Sequence, residues 1–379
     1  MTGTSLTGGA GADPFRANTA IGFDRPGQVL RTREVMVPHI AGLSRAWQVI
    51  YTTKTTFGIA VPASGIVLEP TAATDSAIAG TPVVVYCPTF HGLGGRCAPS
   101  QLLVDGNDPD TSSIAAALVQ GWRVAVPDGI GLGIHGAGPH HWLAKKAGAH
   151  AALDLARAVI ADPDGARLEA PVAVWGYADG GRVAAAAAEY QPGYAPELDL
   201  RAVAAGAVIG DPGALINTLD GGPWSGLAFA GMVGLARAYA HLPVDHLLTD
   251  VGVRAVRAAS EADLDALLVE FLSPLAAWCE RPDPWNDPVW HYILTHENLG
   301  TSTPLVPIHL YHGLLDGLVP IESGRALFAE YSSRDVAVSW SEFDVTHLGA
   351  ADLGVPDVLT ALRTGFARPP RHQGLNPTN

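Results

Sequence analysis

Apolar positions along the chain follow two alternating patterns. The runs VVVYCP (83–88), WRVAVPD (122–128), PVAVWGY (171–177), AVAAGAVIG (202–210), PLVPIHLYHG (304–313) and VAVSWSEF (336–343) are nearly uninterrupted. Continuous apolar and β-branched runs of this length suit parallel strands buried on both faces. AWQVIYTT (46–53) and GIAVPASGIVLEP (58–70) read as an opening antiparallel pair. Helical segments fall between the strands. Residues 110–120 open on Asp110 as a capping candidate, and 140–161 space Leu153, Ala156 and Ile160 by three and four; 180–190 is Ala-rich, and 354–366 follows the last strand. Alternation of strands and helices predicts a doubly wound, mostly parallel α/β sheet.

The rhythm breaks between 211 and 300. Gly and Pro punctuate helical pieces there (227–242, 244–259, 261–278), and no good strand intervenes. An insertion of this kind reads as a helical cap or lid over the sheet. The expected organisation is an N-terminal arm (1–25), an α/β core (26–210 and 301–367) carrying the cap (211–300), and a tail (368–379). The Gly/Thr/Ala-rich arm and the polar tail are expected to be loose.

Composition narrows the function classes. Of 379 residues, 48% are hydrophobic and 16% charged, against about 25% charged in an average soluble protein. A large core is therefore available, and global disorder is excluded. The net charge of −14 repels phosphate backbones, so nucleic acid is not an expected partner. No apolar run reaches the ~20 residues of a membrane span, and no basic amphipathic stretch suits an anionic surface. The first residues carry neither a basic nor an apolar leader segment, which predicts a cytoplasmic setting. Three cysteines (Cys87, Cys97, Cys279) are too few for a disulfide framework; a single Cys97–Cys279 bridge stays open if the chain meets an oxidising compartment.

The candidate chemistry lies where PVAVWGY runs into Gly176-Tyr177-Ala178-Asp179-Gly180-Gly181 and then a helix. Strand, sharp glycine-flanked turn and helix form the nucleophile elbow of G-x-S-x-G enzymes, whose flanking positions must be small. Gly176 and Gly180 satisfy this, and the frame puts Ala178 at the serine position. Downstream, Asp316 follows the strand 304–313, and His347 follows the strand 336–343. The order nucleophile, acid, histidine is that of the α/β-hydrolase triad. Taken singly, each residue has a bland reading as a turn cap or a surface histidine; the ordered set does not.

Four stretches make the likeness specific. These are Gly92-Leu93-Gly94-Gly95-Arg96-Cys97-Ala98-Pro99-Ser100; Pro127–Gly133 with Pro139-His140-His141-Trp142-Leu143; Tyr194–Leu200; and Glu297–Gly300 with Tyr311-His312-Gly313 and Asp316. Over roughly residues 27–366 the chain resembles the secretory lipase family, the group of fungal lipase A and its actinobacterial relatives. The resemblance implies an α/β-hydrolase fold, a serine esterase or lipase activity on a small-molecule ester, Asp316 and His347 as triad acid and base, and Ala178 at the serine. The family's H-G-T-T before G-L-G is Pro88-Thr89-Phe90-His91 here. A backbone N–H near Thr89 or Phe90 is therefore the candidate oxyanion donor, with the N–H of Asp179 as the second. With acid, base and both elbow glycines kept, the missing hydroxyl reads as a deliberate Ser→Ala replacement. A natural, non-catalytic ligand-binding relative is the alternative, and acyl transfer is a further activity of the same scaffold.

His91 and Tyr177 are candidate substrate contacts. Asp179 as a nucleophile would put bulky Tyr177 two residues ahead of it in the strained turn, so its side chain is expected to point away from the site. His140, His141 and His150 lack ligand spacing, and no H-E-x-x-H is present, so no metal is expected. Gly129-x-Gly131-x-Gly133 is not a dinucleotide fingerprint, and no cofactor is expected. Trp224, Leu227, Phe229, Met232 and Leu235 line either an acyl pocket or the core, with core packing the default. The oligomeric state is not legible.

Overall fold

The computed structural model describes residues 13–18, 25–71, 80–161 and 170–369. Its strands are β1 (Val29–Val35), β2 (Leu43–Lys54), β3 (Ala60–Pro70), β4 (Val83–Cys87), β5 (Arg123–Pro127), β6 (Val172–Tyr177), β7 (Leu200–Gly206), β8 (Ile308–Gly313) and β9 (Val338–Phe343). They form a nine-stranded sheet in the order β1-β2-β3-β5-β4-β6-β7-β8-β9. The first three strands and the β3–β5 pair are antiparallel. From β5 to β9 every pair is parallel. All six uninterrupted runs became these parallel strands. β1 escaped the sequence pattern because VLRTREV is an edge strand with polar residues at four of its seven positions.

Alternation within β4 shows how the sheet is sandwiched. Val84 and Tyr86 join one core with Trp175 and Trp122; Val83, Val85 and Cys87 join the core on the other face with Val174 and Leu153. The helices of the two layers are α1 (Pro99–Asp105), α2 (Thr111–Val119), α3 (Lys145–Ile160), α4 (Asp179–Tyr194), α5 (Pro212–Leu219), α6 (Ser225–Ala238), α7 (Asp250–Ala259), α8 (Leu264–Glu270), α9 (Pro288–His296), α10 (Ile321–Ser333), α11 (His347–Leu353) and α12 (Val355–Phe366). The chain leaves β4, crosses to β5 on one side and returns to β6 on the other. The loops after β4 and β6 therefore lie side by side at their carboxyl ends, with Cys87 paired to Gly176, the position where open α/β sheets bind ligands.

Residues 211–300 contribute helices α5–α9 and no strand to the sheet. They bear on the loop after β4: the N–H of Leu93 bonds Ala262 O at 2.9 Å, and the N–H of Leu264 bonds His91 O at 2.9 Å. The apolar stripe of α6 is core. Phe229 and Leu235 are fully buried, Leu227 and Met232 nearly so, and Trp224 alone among the five stands 38% exposed. Phe229 stacks on Phe271 with centroids 5.3 Å apart. Among the described residues no helix is long and apolar enough to cross a membrane.

Two expectations are corrected here. The described part of the arm, residues 13–18, is anchored rather than loose. Buried Arg16 donates to Gly133 O at 3.1 Å and to Gln101 Oε1 at 3.0 Å, and Asp13 pairs with Arg33 at 2.7 Å; the rest of the arm before Arg25, and the tail beyond 369, lie outside the described residues. Cys97 and Cys279 are not bridged: all three cysteines are free and buried, and Cys97 Sγ faces Ala262 O at 3.8 Å instead.

Candidate active site

The turn after β6 is built around one unfavourable residue. Ala178 has φ +52° and ψ −111°, a region that costs a non-glycine residue roughly 1–3 kcal/mol. It is held there by its N–H to Gly206 O at 2.9 Å and by the N–H of Arg182 on its carbonyl at 3.0 Å. The turn closes only over glycine. A Cβ at Gly180 would meet Cys87 O at 1.9 Å, and one at Gly176 would meet Gly180 O at 2.2 Å.

Asp316, on the turn after β8, and His347, at the first position of α11, meet here. Asp316 Oδ2 lies 2.6 Å from His347 Nδ1. Its other oxygen accepts the N–H groups of Leu318 and Val319, each at 2.9 Å. Burial works to raise the Asp316 pKa, but hydrogen bonds from His312 and His347 outweigh it and hold the carboxyl well below the usual carboxylate range. The carboxylate is therefore charged at any working pH, which orients the imidazole and stabilises its cation. His312 was quoted in the sequence only as part of a motif. It is fully buried, sits 3.3 Å from Asp316 Oδ2 through Nε2, and shares that nitrogen with Val319 O at 3.0 Å. A buried histidine four residues before an acid is the signal that marks it in retrospect.

Tyr177 is not placed as a substrate contact. Its ring is buried, and its hydroxyl donates to His347 O at 2.5 Å, so it holds the backbone of the histidine. The oxyanion donors are also narrowed. The Thr89 N–H is consumed by Asp110 Oδ2 at 2.8 Å, and the Thr89 hydroxyl donates to the same oxygen at 3.0 Å. Thr89 N–H is therefore ruled out. Phe90 N–H and Asp179 N–H, the latter at the start of α4, have no hydrogen-bond acceptor among the described residues. Asp110 sits at the N-cap position of α2, as the sequence suggests, but its carboxylate makes no cap bond; it ties down the loop after β4 instead.

Asp179 faces the loop after β4 rather than Asp316 and His347. Its buried side chain lines a cavity with Thr89, Phe90, His91, His140 and His141. Ala178, Asp316 and His347 are not among the residues lining it, so the cavity abuts the elbow from the side of the loop after β4. Phe90 stacks on Trp142 with centroids 4.0 Å apart. His140 Nδ1 donates to Ile130 O at 3.2 Å; burial pushes His140 down to about 4 and His141 to about 3, so both are neutral. His150 is remote from this group, bonded to Lys54 O and stacked on Tyr194. Around the Gly129–Gly133 loop, Asp128 accepts the Ser100 N–H at 2.6 Å, which gives that loop a structural anchor.

Asp179 carries a pH prediction. Burial pushes its carboxyl up to about 7, against Arg182, Trp142 and His91, which lower it. An unfolded aspartate titrates near ~3.9. Between these values the folded state holds a proton that the unfolded state has lost, so stability falls as pH rises through that window. Asp179→Asn should therefore raise the free energy of unfolding at pH 8, by on the order of 1–3 kcal/mol, and change little at pH 4, as denaturant unfolding at the two pH values would measure. Equal shifts at both pH values would show that the carboxylate carries no burial cost.

The family model "Secretory lipase" matches residues 99–374. The chain belongs to the secretory lipase family. It is 27% identical over 365 residues to lipase A of Arthroderma benhamiae, covering 89% of this chain and 75% of that protein. It is 25% identical over 377 residues to a Mycobacterium tuberculosis protein named a probable inactive lipase, covering 94% and 82%. Its fold matches Candida antarctica lipase A in its closed state with a TM-score of 0.83 at 23% identity, covering 94% of this chain and 86% of that one. The fold is thus that of the α/β hydrolases, and the family's chemistry is hydrolysis of carboxylic esters. Membership also corrects the expected cytoplasmic setting: a family of secretory lipases points to the extracellular side. N-terminal composition was the wrong guide to location.

Proposed function

We propose that this chain is a serine-esterase scaffold that recognises a carboxylic ester and, with alanine at 178, does not form an acyl-enzyme. The observation that carries this reading is the 2.6 Å Asp316–His347 pair beside an elbow strained at the nucleophile position. That strain has no use for packing a methyl group. With serine at 178, Oγ attacks the ester carbonyl carbon as His347 Nε2 takes its proton. Asp316 keeps the other ring nitrogen protonated and correctly turned. The oxyanion accepts the N–H groups of Phe90 and Asp179. The tetrahedral species collapses, the leaving alcohol takes the proton from His347, and water repeats the sequence on the acyl-enzyme. Helices α5–α9 serve as the cap, since residues 262–264 clamp the loop that carries Phe90 and His91.

The persistence of Asp316, His347 and both elbow glycines favours a Ser→Ala replacement over drift. A second reading, a naturally non-hydrolytic ligand binder, draws on the relative named a probable inactive lipase. Acyl transfer to an alcohol or amine uses the same serine and differs only in what replaces water. Turnover of p-nitrophenyl esters by the chain and by its Ala178→Ser variant tests the hydrolytic reading, and binding of the same esters to the unaltered chain tests recognition.

A further inference from the structure

Beneath the loop after β4, His91, Asp108 and Asp110 bring one ligand-type atom each to within 4.8 Å of one another. All three residues are buried, at 9%, 6% and 9% exposure. The ester-hydrolysis reading makes no use of Asp108 or of the His91 ring.

We propose that His91, Asp108 and Asp110 form a binding site for a divalent transition-metal ion of the zinc type. Charge is the first argument. Two buried carboxylates stand together, and among the described residues neither meets an arginine or lysine; the one ion-pair partner is His91 Nε2, 3.6 Å from Asp110 Oδ2. Buried charge without compensation is costly, and a cation supplies what one imidazole cannot. Unused bonding capacity is the second. Asp108 Oδ2 and His91 Nδ1 are buried and make no hydrogen bond, although Asp108 Oδ1 accepts the Asp110 N–H at 2.9 Å. An imidazole with two carboxylates suits zinc or manganese rather than calcium or magnesium. His91 and Thr89 line the cavity beside the elbow, which provides the path of entry.

The site stands apart from the triad, so its test does not depend on ester turnover. Full-length protein freed of metal with a chelator is titrated with ZnCl₂ by calorimetry. One site is expected, with no heat from CaCl₂. His91→Gln and Asp108→Asn should each weaken that site roughly ten-fold or more while leaving the circular dichroism unchanged. Asp108→Asn keeps the oxygen that accepts the Asp110 N–H, so it is the variant most certain to fold. Co²⁺ loaded into the unaltered protein gives a readout that needs no variant: nitrogen and oxygen ligation without a thiolate band. Absence of stoichiometric zinc binding, full binding in both variants, or a thiolate band that places the ion on a cysteine would each overturn the site.

Discussion

Serine at position 178 should raise p-nitrophenyl ester turnover by at least a thousand-fold, with a ceiling near ~10⁶-fold, the loss seen when a triad serine is removed. The backbone at 178 already has the elbow conformation, with φ +52°, so adding a hydroxyl requires no rearrangement. The Asp316–His347 pair is closed at 2.6 Å, so the base is already oriented. The unaltered chain should show only the trace rate that an oxyanion hole and a general base sustain with water. His347→Ala in the serine background should return turnover to that trace. A folded Ala178→Ser protein that turns over no short or medium ester and transfers no acyl group would remove the main support for the hydrolytic reading. Retained binding of the ester by the unaltered chain would then favour the ligand-binding alternative.

The largest stability loss from a single substitution outside the elbow is expected at Arg182. Its guanidinium is 1% exposed and bonds the carbonyls of Leu143 at 2.8 and 3.0 Å, Ile209 at 2.8 Å and Glu297 at 2.5 Å, with the Glu297 carboxylate at 3.3 Å. Glu297 in turn accepts the Lys145 N–H at 2.6 Å and the Tyr239 hydroxyl at 2.8 Å. One buried pair therefore ties α3, α4, α6 and the segments around 143 and 209 together, one turn beyond Ala178. Arg182→Met should cost about 3–5 kcal/mol, because it leaves a buried carboxylate without its cation and several carbonyls without donors. Adding Glu297→Gln should recover part of that loss, since the stranded charge is gone. Denaturant unfolding of the single and double variants checks both signs. A loss under about 1 kcal/mol for the single variant would mean that water or a rearranged side chain replaces the guanidinium.

The sequence by itself carried the sheet, because burial on both faces demands unbroken apolar runs and every parallel strand here has one. It also carried the elbow, since the close approaches at Gly176 and Gly180 admit no other residue. The identities of Asp316 and His347 were readable from their order after two late strands, and the structure brings the two together. What it did not carry depends on distances between segments remote in the chain. The edge strand β1 is half polar because one side faces solvent. Thr89 looked equivalent to Phe90 as an oxyanion donor until Asp110, twenty-one residues away, was seen to occupy its N–H. Tyr177 looked like a substrate contact until its hydroxyl was found on the carbonyl of His347. Asp110 looked like a helix cap until its carboxylate was found on the Thr89 N–H and hydroxyl. Local propensity sets which element a residue joins, but the partner that takes up a hydrogen bond or a charge is chosen by the packing of elements far apart in sequence, and only the tertiary structure decides that.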